Sequence, residues 1–334
     1  PATEDRLEHL EQLGVEAELS KESAWEIFSN TEQLQQLLTD KIYANASVPA
    51  DAAKLDEAEF NSKLAAEIKD STLPEIYNGF YDNRQIVLQG TDFVYDAILP
   101  GGTSFEQIFT ADNAMLSRKI NAATQDIELV KAIQDKRIDA RVFEFDGEKY
   151  NRNDAEEVVK KLETDLAAMK TKLDDLDISA IRFFYAKAKQ KNETVAAELK
   201  EHYAFYFNLR QQADGLMKCI DDMMLPLQQM FAQQGLSIET VRRVIGTLKS
   251  VHEPAFKKEL QAWVEKGAFQ RDTVLTEKIN SYLQANYVYF HDTGFFDAEL
   301  TGLNDVVNQS WGSVSGFIFE KFKSILESQS ELMN

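Results

Sequence analysis

Cysteine is nearly missing from this chain: Cys219 is the only one in 334 residues. An intrachain disulfide is therefore excluded, and the redox compartment stays open. Cys219 sits in Leu216-Met-Lys-Cys-Ile220 and reads as a small core residue on a helix. Glycine and proline are scarce too, 14 and 6 in number, which argues against a strand-rich sandwich or barrel and for long helices. No apolar run approaches the roughly 18 residues that span a bilayer, so direct membrane insertion by this segment is not expected. Positive charge is in deficit, with 36 Lys and Arg against 56 Asp and Glu and a formal net charge of −20. Such a surface repels nucleic acid and anionic headgroups. The phosphate-binding loop, the dinucleotide fingerprint and Gly-x-Ser-x-Gly are all missing.

What is present is core material: 44% hydrophobic residues and 10% aromatics, enough for an ordered body. The spacing predicts an all-α, bundle-like fold with one short β-hairpin near 141–152. Trp25, Phe28, Leu34, Leu37 and Leu38 mark a helix over 21–45, and a second covers Leu55–Ile68. Residues 71–102 read as an irregular loop, with Pro74, Gly79, Gly90 and Pro100. A helix follows over 111–135. Val142-Phe-Glu-Phe alternates, Asp146-Gly147 is a two-residue turn signal, and Lys149-Tyr-Asn-Arg152 returns. A long helix then carries Val159, Leu162, Leu166, Met169, Leu173 and Leu176, with another expected after Asp177. The next runs from about Leu199 to Phe231, kinked or ended near Met223 by Pro226. Helices at 238–251, 254–265, 273–286, 297–308 and 311–332 complete the reading. The expected division is 1–14, the tail of a preceding domain; 15–140, a helical part containing the loop; and 141–334, the hairpin and long-helix bundle.

Candidate chemistry is thin. His252-Glu253-Pro254-Ala255-Phe256 begins like His-Glu-x-x-His, which places two imidazoles on successive helical turns around one zinc. The second histidine is replaced by Phe256, and Pro254 suits the first turn of a new helix. His9, His202, His252 and His291 are too dispersed for a local ligand pattern. No catalytic or metal residue is therefore assigned. Ile76-Tyr-Asn-Gly-Phe-Tyr-Asp-Asn-Arg84 is dense in aromatics. It reads either as a loop pinned to the helices by its rings, with Arg84 tied to a carboxylate, or as a protein-contact surface built on Tyr77, Phe80, Tyr81 and Arg84. Tyr203, Phe205, Tyr206 and Phe207 cover much of one helix circumference, as in a central helix.

The opening Pro1-Ala-Thr-Glu-Asp-Arg-Leu-Glu-His-Leu10 resembles the segment that closes the catalytic domain of HtpX-type membrane zinc metallopeptidases. There a His-Pro-x-x-x-x-Arg stretch precedes a short leucine-bearing helix; Pro1 and Arg6 match that spacing. Gly79-Phe-Tyr-Asp-Asn-Arg84 and Phe143-Glu-Phe-Asp-Gly-Glu-Lys-Tyr-Asn-Arg152 resemble the long carboxyl-terminal extension of large bacterial members. The resemblance implies a membrane-anchored zinc endopeptidase as parent, with its His-Glu-x-x-His site and its zinc upstream of Pro1. This segment would then be a soluble, non-catalytic domain on the cytoplasmic side of a bacterial membrane. Its expected partners are its own upstream peptidase domain and polypeptide substrates, and it needs no cofactor itself. Two rivals stand beside this reading: an acidic helical scaffold unrelated to proteolysis, and an enzyme in its own right.

Overall fold

The computed structural model describes residues 23–45, 55–88, 95, 104–233, 235–292 and 294–333. The expected tail at 1–14 lies outside these residues, as does most of the loop beyond residue 88. The chain divides into two compact units, Pro1–Ser71 and Thr72–Asn334. The division falls at 71/72, not at the expected 14/15 and 140/141.

The first unit contains a 3-10 turn at Ala24–Ile27 and two helices, α1 (Thr31–Asn45) and α2 (Glu57–Ser71). The Thr31 hydroxyl donates to the Trp25 and Phe28 carbonyls at 2.8 and 3.0 Å, tying the turn to α1. Neither helix buries a residue. Leu34, Leu37, Leu38 and Ile42 of α1 and Phe60, Leu64 and Ile68 of α2 are all exposed, although their spacing makes one apolar stripe per helix.

The strands among the described residues of the second unit form two short hairpins, and the other regular elements are helices. A 3-10 turn at Glu75–Tyr77 comes first among its described elements, followed by two single turns, α3 (Phe105–Ile108) and α4 (Ala111–Ala114), and then α5 (Leu116–Gln134). Strands β1 (Val142–Phe145) and β2 (Glu148–Asn151) pair antiparallel. Asp146 and Gly147 both have positive φ, 53° and 75°, as a right-twisted two-residue turn requires. Phe143 stacks on Tyr150 with centroids 5.8 Å apart. The rings pack beside Val130 of α5 and Val159 and Leu162 of the next helix, forming a small core of their own.

Helix α6 (Ala155–Lys191) and helix α7 (Glu193–Ala232) are joined by Asn192 alone. Asn192 is extended, and its side chain accepts from the Val195 amide at 2.8 Å, a standard N-cap. The break expected after Asp177 does not occur. Mid-helix aspartate weakens a helix by competing for nearby backbone groups; here its carboxylate is held by Arg84, so the ladder continues. Pro226 likewise lies inside an unbroken α7.

Helix α8 (Ile238–Thr247) passes through a π turn at Leu248–His252 into α9 (Glu253–Glu265). Pro254 falls in the first turn of α9, where its missing N–H costs nothing. Gly267 (φ 81°) ends that helix; its amide reaches the Val264 carbonyl and the Ala268 amide reaches Trp263, the Schellman pattern. Helix α10 (Thr273–Gln284) follows, then a second hairpin, β3 (Phe290–His291) with β4 (Gly294–Phe295), that the sequence did not suggest. The last helix, α11 (Asp297–Glu331), is continuous where two were expected. Ser310 satisfies its hydroxyl on the Val307 carbonyl at 3.0 Å, and Val306, Val307, Val314, Ile318 and Phe322 bury one face through the presumed gap. Tyr206 stacks on Phe322 and Phe231 lines a groove with Leu300, so α7 and α11 run antiparallel.

Candidate functional site

Tyr77, Phe80, Tyr81 and Arg84 do not present a contact surface. The three rings are each 1% exposed, and the Arg84 side chain is 7% exposed. Left-handed backbone at Asn78, Gly79 and Asn83 (φ 50°, 75° and 57°) coils the segment tightly, turning all three rings inward. Tyr77 and Phe80 meet Phe109 edge-on at 5.1 and 5.2 Å, and Tyr81 meets Phe322 at 5.3 Å. The Arg84 guanidinium lies 4.2 Å from the Phe80 ring centroid. It donates twice to Asp177, at 2.8 and 2.7 Å. Burial pushes the Asp177 carboxyl above its ordinary range, opposed by the bonds and charge of Arg84. The pinned-loop reading describes the arrangement.

The knot is also hydrogen-bonded from outside. The Tyr77 hydroxyl donates to the Leu326 carbonyl at 2.8 Å and the Gln329 side-chain oxygen at 3.0 Å. Gln329 in turn donates to the Tyr203 hydroxyl, and the Tyr206 hydroxyl donates to the Ile86 carbonyl at 2.8 Å. Burial raises all three phenols well above their ordinary range, so they stay neutral. Of the four clustered aromatics of α7, Tyr203, Tyr206 and Phe207 are buried and Phe205 is exposed.

A second polar cluster lies at the start of α9. Glu253 is 5% exposed and pairs with Lys257 at 3.2 Å. Lys257 also donates to the Ala285 carbonyl at 2.6 Å. The buried phenols of Tyr282 and Tyr289 are raised by burial and by the Glu253 charge, Tyr289 also by Tyr282. Tyr289 has φ 61°, an unusual conformation for an aromatic residue. Glu299 holds it there, accepting from the Val288 and Tyr289 amides at 2.7 and 2.8 Å. This cluster ties α9, α10 and the second hairpin together.

The cavity nearest to a small-ligand site opens beside it. It has a volume of about 230 Å³ and is half-open to solvent. Met223, Pro226 and Leu227 of α7 form one wall. Arg243, Val244 and Thr247 of α8, with Leu248 and His252 of the π turn, form the other. Two irregularities in helical hydrogen bonding therefore face each other across it. Pro226 offers no amide and holds its ring against the preceding turn; the π turn widens the opposing backbone by one residue. Thus His252, singled out as the start of a zinc motif, instead lines an apolar hole, while the neighbouring Glu253 is buried against Lys257. Among the described residues, no group of three or more His, Cys, Asp and Glu side chains is placed to share a metal ion. A shallower groove of about 500 Å³ lies between Met224, Leu227 and Phe231 of α7 and Leu300 and Leu303 of α11.

Sequence reasoning missed that Arg243 and His252 line one cavity. The available signal was a proline in a strong helical pattern, followed by the basic residues Arg242, Arg243, Lys249 and His252 with no acid between 240 and 252. No protein-family model, curated protein or solved structure matches this chain.

Proposed function

We propose that this chain is a non-catalytic helical domain of a membrane-bound zinc metallopeptidase of the HtpX type, serving substrate selection, regulation or assembly. The observation that carries the reading is the kind of residue that supports the resemblance. Gly79–Arg84 and Phe143–Arg152 are not surface decoration. The first supplies the left-handed turn, rings and guanidinium of the buried knot; the second supplies a hairpin, its turn, and the Arg152 bond to the Ala140 carbonyl. Segments that build a fold are those a shared extension would have in common, so the likeness bears on the domain as a body. The zinc and its ligands belong, on this reading, to polypeptide upstream of Pro1.

The test is to sequence the gene upstream of Pro1 and assay the complete polypeptide. We expect an upstream His-Glu-x-x-His and chelator-sensitive cleavage of casein. Deleting 72–334 should lower casein turnover while sparing a short chromogenic peptide. An upstream sequence without a zinc-peptidase motif would refute the proposal. A scaffold role unrelated to proteolysis is the second reading, favoured by the exposed apolar stripes of α1 and α2.

A further inference from the structure

The geometry points to the Arg243–His252 cavity as a receptor for the free carboxyl terminus of a polypeptide whose last residue is apolar, a terminal leucine or phenylalanine. Shape and chemistry give this independently. The cavity holds about 230 Å³, and a cavity of roughly 150 Å³ between helices accepts a benzene ring. One large apolar side chain therefore fits, with room left for its backbone at the open side. The floor is apolar: Met223, Leu227 and Leu248 are all buried. The only lining residues able to carry positive charge are Arg243 and His252, and no lining residue is acidic. Among the described residues, neither side chain has a hydrogen bond or an ion pair.

Charge sharpens the assignment. The chain as a whole carries −20 and repels anions at a distance. Against that background, residues 240–252 carry Arg242, Arg243, Lys249 and His252 and no acid. Arg242 is already engaged, donating to the Asp292 carbonyl at 3.1 Å. Arg243 is free to meet a carboxylate with two parallel N–H groups, and His252 supplies a further donor. A carboxylate one or two bonds from a large apolar group is the chemistry this combination recognises. A terminal leucine or phenylalanine has it, and so has a short fatty acid. The peptide is favoured because a volume of about 230 Å³ is too small for a long acyl chain and the open side admits a backbone.

The binding needs no upstream peptidase; only the bound peptide's role as a substrate rests on the proposed function. The experiment uses the chain 1–334 and a fluorescein-labelled octapeptide ending in Ala-Ala-Phe with a free carboxylate, followed by fluorescence anisotropy. We expect saturable binding, at least tenfold weaker for the same peptide as its carboxyl-terminal amide and for one ending in Asp. Arg243→Gln should weaken binding of the free acid tenfold or more while leaving the weak binding of the amide unchanged. Thr247→Trp, at an exposed position on the cavity rim, should remove binding with the far-UV spectrum and urea midpoint preserved. Equal binding of acid and amide, no saturation at millimolar peptide, or indifference to both variants would overturn the assignment. Octanoate displacing the peptide at a lower concentration than an unlabelled copy of it would overturn it too, by giving the site to free fatty acids. Since the chain alone is measured, a missing upstream peptidase would refute the proposed function without altering this result.

Discussion

Replacing Arg84 by methionine removes the guanidinium and leaves Asp177 buried with an uncompensated charge. Two bonds of 2.8 and 2.7 Å are lost, together with a third from Nε to the Phe80 carbonyl at 2.8 Å. Breaking a buried ion pair by removing one partner costs about 3–5 kcal/mol, a large fraction of a typical total stability of about 5–15 kcal/mol. The double variant Arg84→Met/Asp177→Leu removes the stranded charge as well. It should recover most of the loss, leaving about 1–2 kcal/mol for the unpaired Phe80 carbonyl and the lost ring contacts. Urea unfolding followed by far-UV circular dichroism measures all three proteins. The pH dependence has a definite sign. Burial already raises the Asp177 carboxyl, and without Arg84 it rises further. A carboxyl whose folded-state value exceeds its unfolded value stabilises below the unfolded value and loses that contribution as pH rises through the folded one. The deficit of Arg84→Met should therefore be largest at neutral pH and shrink toward pH 5. A loss below about 1 kcal/mol, a double variant no better than the single, or a deficit that grows on acidification would refute the argument.

Tyr77→Phe should cost about 1–3 kcal/mol in the same assay, because it strips a donor from the fully buried Gln329; a cost under about 0.5 kcal/mol would show that bond to be incidental. Gly267→Ala should destabilise by about 1 kcal/mol or more, since φ is 81° and a new Cβ would lie 2.8 Å from the Gln270 side chain. Gly246→Ala, inside α8 with nothing within 4 Å of the added carbon, should instead stabilise by about 0.5–1 kcal/mol, and the two urea midpoints should move in opposite directions. Cys219, raised by burial and then by the charges of Glu259 and Asp222, should react with iodoacetamide at pH 7.5 more slowly than free cysteine. Faster labelling would contradict its half-buried setting.

The helices were legible because one-sided apolar spacing is a local property. Val159, Leu162 and Leu166 mark a face before any partner is known, and Asp146-Gly147 declares its turn from backbone preference alone. Helix ends were misplaced at Asp177 and Ser310 because aspartate and serine are poorer helix formers in isolation. What carries the backbone through is supplied from far away: Arg84 meets Asp177 across 93 positions, and the buried face of α11 packs on α7. The second hairpin was missed for a related reason. Tyr289 holds positive φ because Glu299, on another element, clamps its amide, and no local preference reports that.

The aromatic segment shows why composition could not separate contact surface from core. Rings and arginine anchor interfaces and interiors by the same burial and the same charge-assisted bonds, so their density has no direction. Backbone conformation supplies the direction. With Asn78, Gly79 and Asn83 all left-handed, the chain between Tyr77 and Arg84 cannot lie extended along a helix, and its three rings converge on one side. Two asparagines and a glycine within six residues were visible in the sequence. Such a set favours a coil that turns its bulky neighbours inward over a strand or loop that displays them. The cavity obeys the opposite logic. Its walls are ordinary helical residues, and the hole exists because a proline without an amide and a π turn with an extra residue oppose each other. A sequence read one element at a time registers each as a local fault and misses the space that the two make together.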